Sequence, residues 1–122
     1  ELFTADIACG KNYGNKEKQG DLKTPEGTFK IIDIQDASKW KHDFGDGKGE
    51  IEGAYGNHFI RLETPGHKGI GIHGTHDPLS IGTRATEGCI RIKNSELEQL
   101  VSLIRVPTTV IITPSVKDIK TQ

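Results

Sequence analysis

The sequence has little of what would place a protein in a class at sight. Cysteine occurs twice in 122 residues, enough for one intrachain bridge and far short of the dense frameworks of small secreted scaffolds. No apolar run approaches the roughly 18 residues of a membrane-spanning helix, and no basic-then-apolar start marks a secretory leader. The formal net charge is −1, with both signs spread along the chain. The basic footprint of a nucleic-acid or anionic-lipid binder is therefore missing, and no nucleic acid is expected as a partner. Repeats and low-complexity segments are absent. "GDGKGE" lacks the spacing and the closing Lys-Ser/Thr of a phosphate loop, "DFGDG" lacks the acidic ladder and final glutamate of a calcium loop, and no GxSxG occurs.

What is present is glycine and turn residues every few positions, which favours strands over helices. The length suits one domain over residues 1–122, and the expectation is a mainly β fold with one or two short helices. Pro25 and Gly27 are placed for a type I turn at Thr24 to Gly27, leading into a β-rich run from Thr28 to Ile34. "HFIRLE", "GIGIHG" and "TTVIIT" are further strands. The one convincing helix is "NSELEQLVSLI". Asn94 or Ser95 caps it, Glu96 and Glu98 suit its positive end, and Leu97, Leu100, Val101 and Ile104 form its apolar stripe. Val106 and Pro107 end it. From Trp40 to Gly56 the chain reads as a long surface loop or a loose hairpin, with a functional role and a merely solvated one both open. The opening "ELFTADIACG" reads as the middle of a strand, as in a domain truncated at its N-terminus.

The chemistry gathers around "TEGCIR". Side chains alternate along a strand, so Ile70 and Ile72 face a core while Gly71 and His73 face away; Ile90 and Ile92 face the core while Cys89 and Arg91 face away. A thiol and an imidazole then emerge on one side of a sheet. A free thiol with a pKa near 8.5 is only about 3% thiolate at pH 7, so a nucleophilic Cys89 needs a base such as His73, helped by the Arg91 cation. Gly88 lets a substrate backbone approach, and the amides of Gly88 and Cys89 suit a developing oxyanion. Three other readings stand beside this one: a buried inert cysteine, a Cys9–Cys89 disulfide, and a zinc site drawn from His73, His76, Cys89, Asp77 and His67. For His42, His58, His67 and His76 the plain expectation is exposure on loops.

Taken together, "TPEGTF", "GAYG", "GIGIHGTHDPLSIG" and "TEGCIRI" resemble, in this order, segments of the L,D-transpeptidase catalytic domain of the YkuD type, from about Gly10 to Thr113. The core of the pattern is a histidine and glycine, a loop, then Ser/Thr-x-Gly-Cys and a hydrophobic residue. Here these are His73, Gly74, Thr86, Gly88, Cys89 and Ile90. The resemblance implies a compact β-sandwich-like domain acting on peptidoglycan stem peptides, donor and acceptor, in the bacterial cell envelope, with the targeting segment absent from this chain. It implies Cys89 as nucleophile, His73 as base and acid, the Gly74 carbonyl as the group that holds the imidazole, and Gly88 with Cys89 as the oxyanion hole. Arg91, Thr86, Tyr55 and Ser80 would bind substrate or steady the site, and the loop Thr75 to Ala85 would line the donor groove. No cofactor or metal is implied, and the expected state is a monomer. Cys9 falls outside the motif and reads as a buried structural thiol. Many members carry histidine where this chain has Glu87, which leaves His73 as the single base. The family domain also usually begins with a strand or hairpin ahead of the segment "IACGKN".

Overall fold

The computed structural model describes residues 5, 7–12, 14–43, 45 and 47–112. Most of the opening "ELFTAD", Phe44 and Asp46 of the 40–56 segment, and Thr113 at the end of "TTVIIT" lie outside the described residues. The strands are β1 (Ile7–Gly10), β2 (Gly27–Asp36), β3 (Lys41–Asp43), β4 (Glu50–Glu52), β5 (His58–Glu63), β6 (Gly71–His73), β7 (Arg84–Thr86), β8 (Ile90–Ile92) and β9 (Thr109–Ile112). A 3-10 turn spans Pro78–Ser80 and the helix α1 spans Asn94–Leu103. Seven strands form one curled mixed sheet in the order β7-β1-β8-β6-β5-β2-β9, and β3 pairs with β4 as a separate hairpin.

The β-branched and aromatic run in β2 accounts for the longest strand, which pairs antiparallel with both β5 and β9. At the centre, β6 and β8 run parallel, with Ile72 opposite Ile90 and His73 opposite Arg91. Every residue of both strands is buried, as expected for a parallel pair covered on both faces. One face carries the core: Ile31, Ile60, Leu62, Ile72, Ile90 and Ile92 pack with the fully buried Leu97 of α1, and Leu100, Val101 and Ile104 extend the contact. This is the stripe that the helical spacing predicts.

On the other face, Phe59 stands opposite His73, His73 opposite Arg91, and Arg91 opposite Ala8, a row across four strands. Within the Trp40–Gly56 segment β3 and β4 pair as a hairpin, and the rings flanking it roof this second face. Trp40 and Tyr55 pack against Phe59, with ring centroids 5.5 and 6.0 Å away.

Two local expectations give way. Residues 22–26 run without a turn: Glu26 N–H donates to Asn15 Oδ1 at 2.8 Å and Gly10 N–H to Thr24 Oγ1 at 2.9 Å. Partners distant in sequence thus hold this irregular segment where Pro25 and Gly27 favour a turn. Neither Asn94 nor Ser95 caps α1; Lys93 takes the capping position and makes no side-chain bond there.

Candidate active site

A cavity of about 350 Å3 lies under the hairpin, lined among others by Cys89, His73, Arg91, Thr86 and Tyr55. This volume lies in the range of small-molecule sites. Sequence alternation places the first three of these on one sheet face, and the structure puts them around one cavity.

His73 is 4% exposed. Its ring stacks on Phe59 with an interplanar angle of 10° and meets the edge of Tyr55 at 4.9 Å between centroids. Nδ1 lies 2.6 Å from the carbonyl oxygen of Gly74. A carbonyl only accepts, so Nδ1 carries the proton and Nε2 is left as the basic atom. Burial pushes the imidazole pKa down to about 4; the Gly74 bond opposes this, and the charges of Arg91 and His42 add to it. Alternation thus puts His73 on the face away from the core, and its burial comes from a covering segment remote in sequence.

Cys89 is half-buried, and its Sγ–H donates to the carbonyl of Gly69 at 3.2 Å. Burial pushes the thiol up, Glu87 adds to this, and the Gly71 amide, Lys16 and Arg61 pull the other way. With a depressed imidazole and a raised thiol, the resting state is neutral Cys89 and neutral His73. Each unit of pKa gap adds about 1.4 kcal/mol to the cost of a thiolate–imidazolium pair.

Thr86 staples the turn that presents the thiol: its hydroxyl donates to Cys89 O at 2.6 Å and accepts from Gly88 N–H at 3.2 Å. The Gly88 amide is thereby engaged, so a role in an oxyanion hole would require it to leave Thr86 Oγ1. Gly88 itself has φ +139°, and a Cβ there would meet Lys23 O at 3.0 Å, so the turn needs glycine. Arg91 is 4% exposed and donates from Nη1 to Ser80 Oγ at 2.9 Å, while Ser80 donates to Asp77 O at 2.7 Å. No residue of 75–85 lines the cavity; that loop stands behind Arg91, so Ser80 touches the site only through the guanidinium.

Three neighbours of the site carry no signal in the motif. His42 Nε2 of the hairpin lies 3.3 Å from Glu87 Oε1. Lys16, with a side chain 2% exposed, lies 3.0 Å from Asp21 Oδ1 and lines the cavity. Asn94 reaches the Thr75 backbone from the start of α1. The other histidines also depart from simple loop exposure: His58 Nε2 lies 3.4 Å from Glu98 Oε2 and His67 is half-buried, while His76 is exposed as expected. Both cysteines are free, with Cys9 half-buried on β1, which removes the disulfide reading. No three His, Cys, Asp or Glu side chains come together as metal ligands among the described residues.

A curled β domain with a cysteine and a buried histidine around one roofed cavity defines the class. The chain belongs to the YkuD family, the L,D-transpeptidase catalytic domain, whose model matches residues 1–112. It is 33% identical over 92 residues to the YkuD protein of Bacillus licheniformis, covering 75% of this chain and 46% of that one. To YqjB of Bacillus subtilis it is 35% identical over 98 residues, covering 79% and 54%. The chain spans about half the length of the curated relatives it matches. Among solved structures, the catalytic domain of the E. faecium L,D-transpeptidase acylated by ertapenem aligns with a TM-score of 0.57 at 23% identity, over 88% of this chain and 78% of that one. The helical cell shape determining protein Pgp2 of Campylobacter jejuni aligns with a TM-score of 0.58 at 28% identity, over 86% and 36%.

Proposed function

We propose that this domain is a cysteine acyltransferase, an L,D-transpeptidase acting on peptidoglycan stem peptides in the bacterial cell envelope. The observation that carries the reading is the placement of Cys89 and His73 around one cavity, with His73 Nδ1 already spent on the Gly74 carbonyl. Nε2 takes the Sγ proton as sulfur attacks the carbonyl carbon of the third residue, a diamino acid, of a donor tetrapeptide. The Cys89 amide donates to the oxyanion, joined by the Gly88 amide once it leaves Thr86. The carbon–nitrogen bond then breaks, the His73 proton passes to the departing D-alanine, and a thioester remains on Cys89. The side-chain amine of a second stem attacks the thioester, loses its proton to His73 and releases the thiol, leaving a 3→3 cross-link. Arg91, held by Ser80, and the Tyr55 edge bound the groove in which the donor lies.

Intact-protein mass after incubation with a carbapenem tests the nucleophile on wild type, Cys89→Ala and Cys9→Ala. A single adduct lost only in Cys89→Ala is the expected result, and no adduct on folded wild type would sink the reading. Disaccharide-tetrapeptide then reports the second half of the reaction. A dimer lighter by one D-alanine marks transpeptidation, whereas tripeptide alone marks water as the acceptor and an L,D-carboxypeptidase.

A further inference from the structure

The sequence offers Asn94 as the cap of α1, but it is the first helical residue, one place past the capping position that Lys93 occupies. Its carboxamide instead takes both polar backbone groups of Thr75: Thr75 N–H donates to Oδ1 at 2.8 Å, and Nδ2 donates to Thr75 O at 3.0 Å.

The peptide unit that carries the Thr75 N–H also carries the Gly74 carbonyl. This is the carbonyl that accepts from His73 Nδ1 at 2.6 Å. A trans peptide is planar, so a grip on its N–H fixes the direction of its C=O. The grip matters because residue 74 is glycine, the residue with the freest backbone. Glycine is also obligatory there: a Cβ on Gly74 would collide with Asn94 Oδ1 and stand 3.0 Å from Gly56 Cα. On the other side Gly74 N–H donates to Tyr55 O at 2.7 Å. The one freely pivoting residue beside the imidazole is thus clamped from α1 and from the end of the hairpin segment.

We propose that Asn94 is a positioning residue for His73, acting through the Gly74–Thr75 peptide to hold the carbonyl that sets the tautomer and the ring angle. Its closing of the cradle makes a backbone carbonyl serve where a carboxylate often orients a catalytic histidine. The inference rests on the reading of His73 as the base.

The test is nitrogen NMR of the His73 ring in wild type, Asn94→Ala and Asn94→Asp, alongside the rate of carbapenem acylation per folded molecule. Wild type should show the single Nδ1–H tautomer. Asn94→Ala should show a mixture and acylate about ten- to a hundredfold more slowly, the scale on which lost support of a catalytic group is felt. Asn94→Asp keeps the acceptor for Thr75 N–H and should keep the tautomer. A folded Asn94→Ala with an unchanged tautomer and rate overturns the proposal. If Asn94→Ala does not fold, Asn94→Asp decides: a single tautomer supports the clamp and a mixture overturns it. A role confined to helix stability would lower the melting temperature and leave the tautomer alone. Because the tautomer is read without substrate, a wild type that resists acylation sinks the chemistry assigned to Cys89 and leaves the tautomer to decide the clamp.

Discussion

His42 and Glu87, 45 residues apart, meet 3.3 to 3.5 Å from each other, joining the roofing hairpin to the turn that presents Cys89. The position that reads as the loss of a histidine thus faces one supplied by another element. Glu87 bears on the thiol as well, since its charge pushes Cys89 up. Glu87→Gln should lower the thiol pKa and speed alkylation by iodoacetamide, with the alkaline rise of the rate moved to lower pH. A rate profile that does not move would show that Glu87 is screened from the sulfur.

Lys16 should act in the opposite sense. Its ammonium favours the Cys89 thiolate, and its pair with Asp21 is held by Asp21 bonds to the amides of Glu17, Lys18 and Lys23. Lys16→Met should raise the thiol pKa, slow alkylation and lower the melting temperature, because a carboxylate loses its cation at a nearly dry site. The double variant with Glu87→Gln should return the thiol toward its wild-type profile. Alkylation across pH on all three chains checks this.

His73 makes stability fall with acid. Its pKa in the fold, about 4, lies below the 6.5 of the free group, so between these values the unfolded chain binds more protons and stability rises with pH. The contribution is complete above about pH 6.5 and is lost as pH falls toward 4. Going from pH 7 to pH 5 should cost on the order of 2 kcal/mol from this group. Urea titrations of wild type and His73→Gln at both pH values isolate it, since the other histidines cancel in the difference. An equal acid loss in the variant would mean that His73 is hydrated in the fold.

Gly74→Ala should be among the most damaging single substitutions. The added Cβ meets the Asn94 carboxamide and crowds Gly56 Cα, so either the clamp opens or α1 shifts. A loss of about 3 kcal/mol, the upper end of the usual cost of overpacking, is expected. Chemical denaturation gives the number, and Asn94→Ala added to Gly74→Ala should recover part of it by removing the obstacle.

Alternation carries a great deal of this fold. Ile70 and Ile72 against Gly71 and His73, then Ile90 and Ile92 against Cys89 and Arg91, place the core and the site on opposite faces before any coordinate is known, and "HFIRLE" coincides with β5. The family pattern in the sequence adds the Gly74 carbonyl as the group that holds the imidazole. What escapes is carried by contacts without local periodicity. Asn94 reads as a cap because capping is a local signal, whereas its partner is 19 residues back in the chain. The burial of His73 depends on rings from the 40–59 stretch folding over it. His42 and Lys16 sit in polar segments whose composition gives no hint of where they point.

Trp40 is the only tryptophan of the chain, and it lies in the cavity wall beside Tyr55 and Phe59. The roof therefore carries its own optical reporter. An indole lining the same cavity as the thiol changes its emission when a neighbour displaces water or quenches it, and no second indole dilutes the signal. Under the proposed function, entry of a donor, formation of an adduct and its discharge would each be timed on unlabelled protein.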